Sequence, residues 1–223
     1  EGDIGSGILD VFDRYNFTVK EDEPLEKEVA IDPELLGKAY EKFNAIRPDN
    51  YDEYTKALKN GQKGAESKFN KQYGVYYTPR EIVHYMCQQS LINYLTTELE
   101  DKVNKDDVEI FVKYSEQVKE NEAAVEAKGR ETETYFYKLP ESVRQNVKLI
   151  DEKLASIKVC DPAIGSGAFP VGMMSEITKL RNALSVYIKD LTRTVYKFKR
   201  ECIEKSLYGV DIDAGAVEIA KLR

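Results

Sequence analysis

One stretch constrains the fold of this chain more than any other. A short β-like run, Ile157-Lys158-Val159-Cys160, passes directly into Asp161-Pro162-Ala163-Ile164-Gly165-Ser166-Gly167-Ala168-Phe169-Pro170, and a helical period starts near Pro170. A second β-like run, Leu207-Tyr208-Gly209-Val210, ends in Asp211-Ile212-Asp213, and a last helix begins at Ala214. Strand, glycine turn, helix, strand and acidic end is the opening of a doubly wound sheet, so the expected fold class is α/β. Val171, Met174, Ile177 and Leu180 continue the first helix. Leu184, Tyr187, Leu191, Val195 and Phe198 extend a helical period across residues 176–205.

Upstream the pattern is helical. Asp32 can cap, Pro33 suits a first helical position and Glu34 suits the positive end of the dipole. Leu35, Leu36, Ala39, Tyr40 and Phe43 then recur at helical spacing, and Tyr51 to Lys59 reads as another short helix. A Gly- and Lys-containing loop leads to Tyr76-Tyr77-Thr78-Pro79-Arg80-Glu81. Here Thr78 is a good cap, Pro79 a first helical residue, and Glu81 completes a capping box. Ile82, Val83, Met86, Cys87, Leu91, Leu95 and Leu99 give that helix its apolar face. A further helix is expected from Glu141 to Lys153, with Val143, Val147, Leu149, Ile150 and Leu154 apolar.

The glycine turn is where a ligand can meet backbone. Glycine permits close approach and positive φ, and the helix behind it offers free N–H groups. Compared with the dinucleotide fingerprint G-x-G-x-x-G, the third glycine position is Pro170 and the strand ends in acidic Asp161. A carboxylate there opposes a pyrophosphate. It favours a ligand that is cationic at that end, such as S-adenosylmethionine with its sulfonium and ammonium, over NAD. Asp211, at the end of the second strand, has the place of a ribose-binding acid, although it stands 44 residues beyond Gly167 where about 20 is usual. Asp213 is the competing candidate. Alternation turns one of the two away, and Asp213 is the better placed to cap the last helix.

The residues from Asp161 to Phe169 resemble motif I of the amino-methylating DNA methyltransferases of the γ arrangement. Tyr76-Tyr77-Thr78-Pro79 resembles their motif X, and Leu207-Tyr208-Gly209-Val210-Asp211-Ile212-Asp213 their motif II, in the order that arrangement requires. The stretch from Leu9 to Thr18, and Leu35-Leu36-Gly37-Lys38-Ala39-Tyr40-Glu41, are similar to the methylase region of single-chain type IIG restriction-modification enzymes. The resemblance implies an N-terminal helical region, residues 1–72, followed by residues 73–223 as the first half of a Rossmann-like S-adenosylmethionine-dependent methyltransferase domain, with an acidic insertion at about 98–135. It implies that Tyr77, Thr78, Pro79, Asp161, Ala163, Gly165 and Gly167 cradle the methionine end of S-adenosylmethionine. Asp211 would hold the ribose and Ile212 would lie against the adenine. The activity implied is methyl transfer to the exocyclic amine of adenine, more than of cytosine, in double-stranded DNA, with the base flipped out of the duplex.

The family's catalytic Asn-Pro-Pro-Tyr has no counterpart, since neither Asn-Pro nor Pro-Pro occurs in the chain. No catalytic residue is therefore assigned. The chain also lacks an initiating Met, which fits a cofactor-binding piece of a longer parent that carries the remaining methyltransferase and target-recognition parts and is inactive without them. The alternative from another class is a non-catalytic module that binds DNA or a partner and keeps a vestigial cofactor pocket. A nicotinamide-dependent oxidoreductase is disfavoured by Asp161 and Pro170, and a protein or small-molecule methyltransferase only by the resemblance.

Composition enters as a check on partners. The 223 residues carry a formal charge of −7, but residues 98–135 hold 12 acidic against 6 basic residues, so the rest is close to neutral. The acidity reads as a solvated stretch and excludes no DNA partner. Residues 176–205 hold 8 basic residues (Lys179, Arg181, Lys189, Arg193, Lys197, Lys199, Arg200, Lys205) against 4 acids, and read either as a solvated helix face or as phosphate contacts. His84, the single histidine, reads as a packing or surface residue before a general base. Cys87, Cys160 and Cys202 lack metal-ligand spacing and fit reduced thiols in a cytoplasmic protein, so no metal is expected. No run approaches the roughly 20 apolar residues of a membrane span, and no signal peptide opens the chain.

Overall fold

The computed structural model describes residues 16–17, 30–31, 33–44, 51–60, 77–128, 138–188 and 190–223. Asp32, Tyr76, Lys189 and the segments 8–12, 21–23 and 61–74 lie outside the described residues. Two compact units are formed: Glu1–Tyr77, Gly165–Ala168 and Asp211–Arg223 make the first, Thr78–Ile164 and Phe169–Val210 the second. The described residues are mostly helical, with two small parallel strand pairs, a mixed α/β arrangement.

In the first unit, β1 (Asn16–Phe17) pairs with β2 (Ala30–Ile31) in parallel. Helix α1 (Pro33–Asn44) begins at the expected proline, with Glu34 and Lys38 one turn apart and paired at 2.6 Å. Helix α2 spans Tyr51–Lys59, as expected. The last helix of the chain, Ala214–Leu222, packs on α1.

The second unit is built on α3 (Arg80–Leu99), whose buried face is Val83, Cys87, Leu91, Ile92, Leu95 and Leu99. Ile82 and Met86, expected on that face, are exposed, and Ile92 replaces them. The start is also displaced by one residue. Pro79 occupies the cap position with φ −58° and ψ 149°, and no side chain caps the helix, so Thr78 does not cap it. The extended ψ of Pro79 leaves its carbonyl to receive the amides of Ile82 and Val83 at 3.1 and 3.0 Å.

Against α3 lies α4 (Lys105–Lys128), from the acidic stretch. It is not merely solvated: Val108, Phe111, Val112 and Val118 are buried, and charges occupy its other faces. Each such side chain contributes about 1.5–3 kcal/mol relative to exposure, enough to hold an acidic helix in place. The helix kinks at Tyr114, where φ is −119° and ψ 19°. The single helix expected over 141–153 is two, α5 (Glu141–Gln145) and α6 (Val147–Ser156), broken at Asn146. Val143, Val147, Ile150 and Leu154 are buried as expected.

Strand β3 (Val159–Asp161) pairs in parallel with β4 (Leu207–Gly209), joining Cys160 to Tyr208 and Asp161 to Gly209. Two further bonds extend the pair: the Val210 amide donates to the Asp161 carbonyl at 2.9 Å and the Ile164 amide to the Val210 carbonyl at 3.0 Å. Between the strands run α7 (Ala168–Leu184) and α8 (Val195–Glu201), the latter capped by Thr194 and continued by a wide turn over Cys202–Ser206. The continuous helical period expected over 176–205 is thus interrupted by turns after Leu184.

A buried ion network explains the interruption. Arg193, in the connecting segment, donates two parallel bonds of 2.8 Å to the Asp151 carboxylate and a third of 2.9 Å to the Arg181 carbonyl. Arg181 donates to Asp151 at 3.0 Å and to Glu201 at 2.7 Å. Both guanidiniums lie against the Phe198 ring, 4.4 and 4.9 Å from its centre. Two cations and two anions balance, and the connecting segment is tied to α6 and α7. The last helix of the first unit, Ala214–Leu222, is α9 in chain order.

Candidate functional site

The strand-to-helix turn has the backbone its glycines permit. Gly165 has φ +52° and Gly167 φ +85°, conformations that side chains rarely adopt. At Gly167 space is also short, since a Cβ would stand 3.0 Å from the Cβ of Ala220 on α9. The positive-φ turn presents the Gly165 amide to Asp211. That amide donates to Asp211 Oδ2 at 2.8 Å, and the Asp213 amide donates to Asp211 Oδ1 at 2.9 Å. One carboxylate therefore ties the glycine turn to the acidic end that follows β4.

Asp213 caps α9, its Oδ1 accepting the Gly215 amide at 2.9 Å, as the alternation argument expects. Between the two aspartates, the Ile212 side chain is wholly exposed, with a relative accessibility of 106 %. Tyr77 is half-buried, with the Lys38 ammonium 5.3 Å from its ring centre. Burial raises its hydroxyl above the ordinary range, opposed in part by the Arg223 and Lys38 charges. Tyr77, Gly165, Gly167, Asp211 and Ile212 belong to the first unit.

Thr78, Pro79, Asp161 and Ala163 belong to the second. Asp161 folds back locally, accepting the Ala163 amide at its Oδ1 at 3.1 Å. Ala163, Thr78 and Pro79 are exposed. Of the nine candidate residues, the structure joins Gly165 to Asp211 and Asp161 to Ala163 by hydrogen bonds.

The residues supporting the glycine turn escaped the sequence reading. Ser166, between the two positive-φ glycines, is 1 % exposed and donates its hydroxyl to Glu41 Oε1 at 2.9 Å. Arg223 donates to the Ser166 carbonyl at 3.0 Å. Glu41 is half-buried, and desolvation raises its carboxyl despite the Ser166 bond and the Arg223 charge. The available signal was Gly37, Tyr40 and Glu41 at i, i+3 and i+4, a glycine and two polar groups on one face of an amphipathic helix.

His84 is a surface residue, its Nδ1 2.9 Å from Oε1 of the buried Glu176, which also receives Gln88 Nε2 at 3.4 Å. Four of the eight basic residues of 176–205 form ion pairs within the second unit. Arg181 and Arg193 are buried in the Asp151 network, Lys179 faces Glu176 at 3.5 Å, and Arg200 pairs with Glu204 at 2.7 Å. That weakens the phosphate-contact reading. Among the described residues no group of three or more His, Cys, Asp or Glu could hold a metal ion. No described helix is long and apolar enough to cross a membrane.

The chain is similar to a Methanocaldococcus jannaschii protein named "Putative type II restriction enzyme and methyltransferase", with 29% identity over 232 residues. The match takes in 100% of this chain and 16% of that protein's length. No family model and no solved structure matches the chain.

Proposed function

We propose that this chain is the S-adenosylmethionine-binding part of a site-specific adenine-N6 DNA methyltransferase of a restriction-modification system. The observation that carries the reading is the Asp211 carboxylate on the Gly165 amide. In a dinucleotide site the glycine-turn amides face a pyrophosphate. Here the Gly165 amide is engaged by an anion, so the turn carries negative charge and repels phosphate. A ligand that brings a cation and hydroxyl donors, and no phosphate, suits that chemistry. The exposed Ile212 beside it offers apolar surface to an aromatic ring. The similarity to a protein named as a restriction enzyme and methyltransferase points the same way.

In this reading S-adenosylmethionine supplies a methyl group on a sulfonium, for transfer to an amine. The chain's own residues bind and orient. Asp211 accepts hydrogen bonds from the ribose hydroxyls while holding the glycine turn, each carboxylate oxygen having two lone pairs for the purpose. Ile212 packs on the adenine. Tyr77, Thr78, Pro79, Asp161, Ala163, Gly165 and Gly167 surround the methionine end. Residues 1–72 form the N-terminal helical region and residues 73–223 the first half of the methyltransferase domain. Duplex DNA is engaged by the parent protein as a whole, and the group that accepts hydrogen bonds from the target amine is not assigned to this chain.

Calorimetric titration of the intact gene product with S-adenosylmethionine and with NAD tests the cofactor. Binding of the first alone is expected, and binding of NAD alone refutes the reading. Transfer of labelled methyl from S-adenosylmethionine to duplex DNA tests the activity. Label recovered as N6-methyladenine is the expected product. Cofactor binding without transfer to any DNA favours the non-catalytic module instead.

A further inference from the structure

One turn of α1 meets two of the loops that carry candidate cofactor residues, the glycine turn and the acidic end after β4. Gly37, Tyr40 and Glu41 share a helix face. Glu41 holds the glycine turn through the Ser166 hydroxyl at 2.9 Å, and the Tyr40 hydroxyl donates to Asp213 Oδ2 at 3.0 Å. Gly37 lets the helix lie this close. A Cβ there would stand 2.9 Å from Ser166 Oγ and 2.6 Å from Arg223 Nη1. All of these residues lie within the first unit.

We propose that Glu41 and Tyr40 are positioning residues for cofactor binding, setting the glycine turn and the acidic end of the second strand from a single helical turn. The inference rests on the S-adenosylmethionine reading above and extends it to the N-terminal helix. Ser166 sits between Gly165 and Gly167, both at positive φ, so its side chain is the handle by which that turn can be held in register. Tyr40 grips the residue two beyond Asp211, whose own carboxylate bonds the Gly165 amide. The two grips thus converge on the same pair of loops. Glu41 acts through an acceptor oxygen and not through its charge. Its Oε1 takes the Ser166 hydroxyl, while Oε2 is buried and has no hydrogen-bond partner among the described residues. A neutral amide keeps the acceptor and sheds the desolvated charge.

The test is calorimetry of the intact gene product with S-adenosylmethionine, comparing wild type, Glu41→Ala, Glu41→Gln and Tyr40→Phe. Glu41→Ala is expected to raise Kd about tenfold at unchanged stoichiometry, as the loss of one hydrogen bond does. Glu41→Gln is expected to stay within about twofold of wild type, and Tyr40→Phe to weaken binding in the same direction as Glu41→Ala. A merely structural defect lowers the stoichiometry and leaves Kd alone, and that result overturns the proposal. So does a wild-type Kd in Glu41→Ala, or in Tyr40→Phe for the Tyr40 half. Equal loss in Glu41→Gln and Glu41→Ala means that the charge itself is needed, and also overturns it. Failure of the wild type to bind S-adenosylmethionine removes the functional reading and this inference together. Wild-type binding with an indifferent Glu41→Ala removes the inference alone.

Discussion

Asp211 accepts the Gly165 amide at 2.8 Å across 46 residues of sequence, and its other oxygen accepts the Asp213 amide. The carboxylate organises two loops before any ligand is considered. Asp211→Ala removes both bonds and is expected to cost about 1–2 kcal/mol of stability, with a rise in Kd for S-adenosylmethionine of tenfold or more. Asp211→Asn keeps one acceptor oxygen and should fall between. Thermal unfolding and calorimetry on the three proteins check this, and equal affinity in all of them removes Asp211 from the proposed site.

The Asp151 network predicts a second behaviour. Asp151→Ala leaves Arg181 and Arg193 buried without their carboxylate and should destabilise by about 3–5 kcal/mol, read as a fall in Tm or denaturant midpoint. A loss under 1 kcal/mol would mean that the network is replaceable.

The same group gives a pH dependence with a definite sign. Burial alone raises the Asp151 carboxyl, but the bonds and charges of Arg193 and Arg181 outweigh it and the net shift is downward from 3.8. A depressed acid contributes stability that is present above its unfolded pKa and lost as pH falls through the lower folded value. Stability measured by denaturant is therefore expected to decline as pH drops below 3.8, less steeply in Asp151→Asn. Parallel pH profiles for the two proteins contradict the assignment.

Gly167 combines positive φ with a neighbour at contact distance. Gly167→Ala brings a left-handed penalty of about 1–2 kcal/mol, and its methyl meets Ala220 at 3.0 Å. The expected result is a lower Tm and faster amide exchange in α9. Unchanged exchange there would show that α9 does not depend on the turn.

The three thiols should separate by reactivity. Cys160 is exposed, whereas Cys87 and Cys202 are buried, the former raised to about 12 by desolvation and by the Glu176 charge. Burial raises Cys202 too, opposed by the Arg181 charge. The thiolate is the reactive form, so one thiol should react rapidly with a disulfide reagent under native conditions and two only on unfolding. Rapid reaction of two or three contradicts the packing of α3 or of the wide turn after α8.

What was legible in the sequence was local. Pro33, Ala214 and the Asp213 cap are read from neighbours within four residues, where hydrogen-bond partners are set by chain geometry. Strands β3 and β4 were legible because they stand between turn signals, and glycine at 165 and 167 marked a turn where positive φ is permitted, although Gly37, Gly172, Gly209 and Gly215 do not take it. The apolar face of α3 was legible only in part. At about 100° per residue Ile92 lies beside Leu99 on the buried face, whereas Ile82 falls opposite its centre at Leu91, so a stricter reading of the period separates them.

The remainder depended on partners distant in sequence. Nothing near Arg181 or Arg193 announces Asp151, so two cations that read as a surface stripe are buried and neutralised. Nothing near Gly165 announces that Asp211 takes its amide, or that Glu41, 125 residues away, holds Ser166. The sequence by itself determined where helices start, where the turn needs glycine and which acid caps α9, because those energies are decided within one turn of chain. Only the tertiary structure decided which charges are spent on each other and which side chains support the candidate site. A hydrogen bond or ion pair across such separations exists only after packing has closed the loop between its partners.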